Sequence, residues 1–390
     1  MGSIIINANV SSGFATLKNC AIHIDDKGII TDLFNMSRFT SKHFGYDEKV
    51  YDAQNGIVTP GLIDTHIHGI GGYGTEDLNP EAILGMSLSL VKFGVTGFLP
   101  TVFPNTVENM LKAIKAIKDA MGREEGARIL GINIEGPFIS PNRAGALPPS
   151  AFHNVDIDLF DKLIDTGEGK VVCMTVAPEL KGMRELALHA RNRGVVLLAG
   201  HTDAAYENII EGMQCGILHS THFFNAMKGL HHRNPGAVGA ILIQNDMSCE
   251  VIADGVHVHP ELVKLIIKQK PVENVVLITD SLRPTEQEKG DLIVNGEKAM
   301  LSSEGAFVKE ADSSTFFGSA LTLNRAVANL CNWGIDTETA VRMASENPAR
   351  IYNFKNMGTI LPGNYADIAV FDGNFNAKTV FVGGKPVFMI

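Results

Sequence analysis

The stretch Pro60-Gly61-Leu62-Ile63-Asp64-Thr65-His66-Ile67-His68-Gly69 decides how the rest of the chain is read. An apolar run ends in two imidazoles at i and i+2, and in a strand alternate side chains share a face. Both rings therefore point the same way, where Gly69, Gly71, Gly72 and Gly74 loosen the chain into a loop. That is the geometry of a two-toothed metal clamp at the mouth of a barrel or open sheet. An isolated His-x-His is more often a pair of surface histidines. Here Glu135, His201, His222 and Asp280 each close a further apolar run of strand length, and that favours the clamp.

Eight such runs, at 57–68, 95–101, 128–135, 171–177, 195–201, 217–222, 249–254 and 275–280, alternate with segments of helical periodicity. Met110, Leu111, Ile114, Ile117 and Met121 mark one face of a Lys-rich helix, and 180–193 reads the same way. Strand-helix alternation means parallel strands with right-handed crossovers. The predicted fold is α/β: a (β/α)8 TIM barrel over 57–354, with helices at 321–333 and 337–350 closing its outer ring. The active site then lies at the C-terminal ends of the strands.

The chain ends have a different texture. Residues 1–56 and 355–390 are β-rich, with Asp25-Asp26-Lys27-Gly28 as a hairpin turn. Short hairpins are marginal alone in water, so the two ends are expected to meet in one small β-sandwich domain. Residues 283–317 read as polar and loop-like, with Asn295-Gly296 as a turn, either a lid or a solvated insertion.

With 45% apolar and 19% charged residues in 390, the chain is an ordinary globular protein, not a disordered one. A net charge of −10 argues against nucleic acid or an anionic membrane as partner and leaves a small-molecule substrate. Five scattered cysteines without a Cys-x-x-Cys pair, and a start without a signal peptide, point to the cytoplasm. A homodimer is left open.

A buried carboxylate or imidazole at a strand end costs several kcal/mol if unpaired, and a divalent cation removes that cost. Glu135, His201 and His222 supply three ligands of the type that suits zinc or ferrous iron, with a position open for water. His66 and His68 add enough ligands for a second ion bridged by Glu135, so the count is one or two. Asp280, closing Val275-Val276-Leu277-Ile278-Thr279-Asp280, is placed to take a proton from water and pass it to a leaving group.

The His-x-His, Glu135-Gly136-Pro137-Phe138, Thr221-His222-Phe223-Phe224-Asn225-Ala226-Met227, Asp254-Gly255-Val256-His257 and Thr279-Asp280 runs resemble the amidohydrolase superfamily. Within it they are similar to the N-acetylglucosamine-6-phosphate deacetylase family, nearly end to end. The resemblance implies hydrolysis of an acetamido group on a phosphorylated amino sugar. It also implies metal ligands Glu135, His201, His222, His66 and His68, and Asp280 as catalytic base and then acid. Ala146, Leu147, Asn225, Ala226, Arg233, His257 and Phe317 would bind substrate. Other N-acyl substrates, such as N-acetylgalactosamine 6-phosphate or an N-acyl amino acid, and a non-catalytic sugar-phosphate binder are the competing readings.

Two departures from the family stand out. Gly145-Ala146-Leu147 replaces the usual Gly-Ala-His, and leucine cannot donate a hydrogen bond. After Asp280 the chain carries Ser281-Leu282-Arg283-Pro284-Thr285 where small residues are usual.

Overall fold

The computed structural model describes residues 2–42, 44, 47–148, 151–287, 290–310 and 312–390. The opening histidine stretch is two strands rather than the single one expected over 57–68. Ile57–Pro60 pairs antiparallel with Ile368–Phe371 and parallel with Ser3–Ser11, whereas Leu62–Ile67 pairs in parallel with Val95–Val102. The break falls at Gly61, where a Cβ would stand 1.9 Å from Thr96 Oγ1. Only glycine lets the backbone pass that close as it leaves one sheet for the other.

Leu62–Ile67 is β1 of a parallel ring. It is followed by β2 (Val95–Val102), β3 (Ile132–Glu135), β4 (Val171–Val176), β5 (Val196–Ala199), β6 (His219–Ser220), β7 (Ser248–Ile252) and β8 (Val275–Ile278). Neighbours pair in chain order. Across the seam between β8 and β1, the Asp280 N–H donates to His66 O at 2.9 Å and the His68 N–H to Ser281 O at 2.9 Å. Every residue of β1, β2 and β8 is buried, because helices cover the outside of the ring. That is why the strands read as largely apolar runs rather than as alternating ones.

The helices follow their periodicity: Val107–Ala120 turns Met110, Ile114 and Ile117 inward. Side chains of Asn79, Thr106, Asp156 and Asp336 satisfy free N–H groups at their helix starts. The run expected as one helix over 337–350 is two, Thr337–Met343 and Glu346–Ile351. Pro348 has no N–H to bond the Ala344 carbonyl four residues back. That carbonyl accepts from the Ile63 N–H of β1 at 2.8 Å instead, so the helix break anchors the strand that carries the histidines.

The two chain ends meet in one mixed sheet of eight strands, with Ile5, Val10, Ile22, Ile24, Ile368 and Phe381 in its core. Residues 283–317, expected as a loop, contain antiparallel strands Ile293–Val294, Glu297–Leu301 and Ala306–Lys309, joined by Asp312–Ser319. Asn295 and Gly296 form the expected turn, with φ of 46° and 82°. Val294, Ala299 and Phe307 are too sparse in sequence to announce a core, but they close one with Leu282 and Phe103. Among the described residues no helix is long and apolar enough to cross a membrane.

Candidate metal centre

Each anticipated ligand stands at or just past the C-terminal end of a barrel strand. His66 and His68 belong to the end of β1 and Glu135 is the last residue of β3. His201, His222 and Asp280 lie two residues beyond β5, β6 and β8. These last three do not continue their strands: their φ values are +43°, +24° and +50°. A side chain in this left-handed region costs roughly 1–2 kcal/mol, and such strain persists only where surrounding bonds hold it. The Asp280 N–H is fixed on His66 O, and the His201 carbonyl accepts from the Ser140 N–H at 2.8 Å.

The result is two buried groups of ligand atoms, Glu135-His201-His222 and His66-His68-Asp280, each within 4.8 Å of one another. Glu135 Oε1 lies 3.1 Å from His201 Nε2 and 3.0 Å from His222 Nε2, and the two nitrogens are 3.2 Å apart. In the other group, Asp280 Oδ1 is 3.6 Å from His66 Nε2 and 3.4 Å from His68 Nε2. Glu135 reaches this group as well, with Oε2 3.4 Å from His68 Nε2 and Oε1 3.7 Å from His66 Nε2.

These residues fit a divalent cation. Ligands held about 2.1 Å from a tetrahedral ion stand roughly 3.4 Å apart, close to the spacing of both groups. The ring protons agree. Backbone carbonyls only accept, so the His68 Nδ1–H donates to Thr101 O at 3.0 Å and the His201 Nδ1–H to Arg143 O at 2.9 Å. When neutral, both rings thereby turn an Nε2 lone pair to the centre. His66 Nε2, fully buried, has no hydrogen-bond partner among the described residues.

Burial pushes the Glu135 carboxyl up, but the imidazoles of His201, His222 and His68 outweigh it and hold it well below the ordinary range. Asp280 behaves alike: His68, His66 and His222 overcome burial and lower it. Burial would lower His66, yet its bond to Glu250 and the charges of Asp280 and Glu135 raise it to about 10.

The same centre forms one wall of a cavity of about 290 Å³. Ala146, Leu147, Asn225, Ala226, His257 and Phe317 line it together with Glu135, His201, His222, His68 and Asp280. The His257 Nδ1–H donates to Asp254 Oδ2 at 2.6 Å, while its buried Nε2 has no hydrogen-bond partner among the described residues. Arg233 is not part of this lining: it is exposed and contacts the neighbouring His232 ring.

Sequence reasoning passed over several contributors. Phe103, just past β2, stacks on the His68 ring with centroids 3.7 Å apart and planes 14° from parallel. Asp64 accepts from Thr279 Oγ1 at 2.7 Å and so ties β1 to the end of β8; burial raises its carboxyl to about 7. Glu250, in the middle of β7, bonds His66 from behind. A single charge inside Ser248-Cys249-Glu250-Val251-Ile252 was the available clue.

Known proteins share this fold. The model of the amidohydrolase family matches residues 57–387. The chain is 31% identical to an N-acetylglucosamine-6-phosphate deacetylase of Bacillus subtilis, over 88% of each. It is also 31% identical to an N-acetylgalactosamine-6-phosphate deacetylase of Escherichia coli O157:H7, over 84% of this chain and 87% of that one. An N-acetyl-D-glucosamine-6-phosphate deacetylase mutant from Mycobacterium smegmatis, solved with N-acetyl-D-glucosamine-6-phosphate, superposes with a TM-score of 0.90 at 25% identity, covering 100% of both chains. A barrel with buried histidines and carboxylates at its mouth, matched by the family model over most of its length, is a hydrolytic enzyme belonging to the amidohydrolase family.

Proposed function

We propose that the chain hydrolyses the acetamido group of N-acetylglucosamine 6-phosphate to glucosamine 6-phosphate and acetate, a step of amino-sugar catabolism. The observation that carries this reading is that Glu135, His201, His222, His68 and Asp280 open on the same cavity as Asn225, Ala226 and His257. Relatives spanning most of the chain are deacetylases of N-acetylhexosamine 6-phosphates.

In this reading Glu135, His201 and His222 hold one zinc or iron ion, and His66 and His68 join Glu135 around a second. The cation, when bound, supplies Lewis acidity that polarises a carbonyl and makes water a nucleophile near neutral pH. Asp280 takes the proton of the attacking water and returns it to the departing amine as the C–N bond breaks. Its carboxyl suits this role because the surrounding imidazoles keep it ionised despite burial.

Asn225 and the Ala226 backbone orient the sugar, with Ala146 and Phe317 shaping its walls. His257, braced by Asp254, is assigned to the phosphate, and Arg233 is retained as a second phosphate contact. Leu147 offers no hydrogen bond, so polarity at the acyl end comes from the other groups. The reading includes a cytoplasmic location, which the unpaired cysteines support, and a homodimer, which the exposed Leu230 and Ile243 support.

A second reading changes only the sugar. The E. coli O157:H7 relative named for the galactosamine epimer is as similar, at 31%, as the glucosamine one. Acetate release from both N-acetylhexosamine 6-phosphates and from unphosphorylated N-acetylglucosamine tests the whole. Charge-assisted bonds to phosphate are expected to raise kcat/KM by roughly 100-fold over the unphosphorylated sugar. Equal rates with and without phosphate would remove His257 and Arg233 from substrate binding, and the faster epimer names the substrate.

A further inference from the structure

Glu250 lies beneath both ligand groups at once. Its side chain is fully buried in β7. Oε2 accepts from His66 Nδ1 at 3.3 Å and from the His222 backbone N–H at 3.4 Å. Oε1 accepts from Thr65 Oγ1 at 3.3 Å and from the Tyr352 hydroxyl at 3.2 Å. A carboxylate this deep is costly, and an apolar side chain of similar volume would fill the same space more cheaply.

What an apolar residue cannot do is choose the tautomer of His66. An ionised carboxylate only accepts, so in the neutral ring the proton sits on Nδ1 and the lone pair on Nε2. Nε2 is the atom that faces Asp280 and Glu135 and has no hydrogen-bond partner of its own among the described residues. The second contact acts on the other group. His222 sits at φ +24°, and its N–H is held by the same oxygen, while the next N–H, of Phe223, is held by the Glu250 carbonyl at 2.8 Å.

We propose that Glu250 is a positioning residue for cation binding: it sets the His66 tautomer and pins the turned backbone of His222, so that both groups present their nitrogens to ions. This rests on the reading that a divalent cation occupies the centre.

The test is zinc affinity, measured by competition with a chromophoric chelator, for wild type, Glu250→Gln and Tyr352→Phe. Removing a group that orients a metal ligand typically weakens binding roughly 10–100-fold, and that loss is expected for Glu250→Gln. Tyr352→Phe removes a bond to the same carboxylate without touching a ligand, and its affinity should stay within about threefold of wild type, well below that range. Wild-type affinity in Glu250→Gln, or an equal loss in Tyr352→Phe, overturns the proposal. Failure of the wild type to take up zinc would instead sink the cation reading beneath it. A measurement on wild type alone guards against a variant that does not fold. In zinc-loaded protein with 15N-labelled histidine, His66, assigned by its loss in His66→Asn, should keep its proton on Nδ1. A proton on Nε2 would refute the assignment directly.

Discussion

Replacing Asp280 by asparagine isolates the proton-transfer role from everything else that residue does. The backbone at 280 has φ +50°, a conformation that Asn accepts about as readily as Asp and that most other side chains resist. Both backbone bonds, from the Asp280 N–H to His66 O at 2.9 Å and from the Ser319 N–H to Asp280 O at 3.0 Å, survive the change. The Glu135-His201-His222 group contains no Asp280 atom, so an ion held there should remain. What disappears is a carboxylate able to accept and return a proton, a contribution of roughly 100- to 10,000-fold in rate, or about 3 to 5 kcal/mol of barrier. The expected outcome is a kcat lowered by that factor, with KM and melting temperature close to wild type. Acetate release at saturating substrate, paired with elemental analysis of the same sample, makes the comparison. A kcat within about threefold of wild type with metal retained, far short of the range for acid–base catalysis, would remove Asp280 from the chemistry.

Three further outcomes follow from the same geometry. Without a cation, His66 is raised to about 10, so zinc binding at pH 7.5 must expel its proton; calorimetry in buffers of different ionisation enthalpy should give buffer-dependent heats, and apparent affinity should climb as pH rises toward 10. Glu76, whose carboxylate accepts from the Asn295 N–H at 2.7 Å, is raised by burial to about 7. An acid with a raised folded pKa gives stability that fades as pH rises from its unfolded value through 7, so Glu76→Gln should melt higher than wild type above pH 7, by about 1 to 3 kcal/mol, and equally below pH 4. Leu147→His places a donor in the catalytic cavity, and a donor to a developing oxyanion is worth about 3 kcal/mol; kcat should rise tenfold or more, and an unchanged kcat would show that the carbonyl is fully polarised without it.

The barrel could be read from the sequence because most of its strands fall in short, largely apolar runs, several closed by a polar residue, a pattern that burial on both faces favours. The readings that failed did so where one residue type has two uses. Pro60-Gly61 lies inside an apolar run and looks like an interruption of a strand, yet it is the crossing from one sheet to another, enforced by Thr96. Pro348 looks compatible with a helix that starts at 337, but it frees the Ala344 carbonyl for Ile63 and splits the helix. The 283–317 sheet was missed because its few apolar residues bury against Phe103 and Leu282, which belong to other segments. Arg233 is a different case: it stands exposed, outside the cavity lining, and its phosphate role, read from its motif, is kept as a proposal.

The candidate ligands were legible for a different reason: they break the rules that make the strands predictable. Pattern reasoning would carry β5, β6 and β8 straight on, yet His201, His222 and Asp280 turn left-handed at their ends. It would also keep charge out of the barrel core, yet Glu135 and Glu250 are buried there among imidazoles. Each exception alone is destabilising, by strain or by desolvation, and none relieves a packing fault in its own strand. They become mutually consistent only when their lone pairs share a common positive charge. Without it, a proton on His66 must serve in its place, bound tightly enough to shift that ring to about 10. Six candidate ligands converge within a few ångströms, and a divalent cation, which the chemistry needs, would offset the strain and desolvation gathered there.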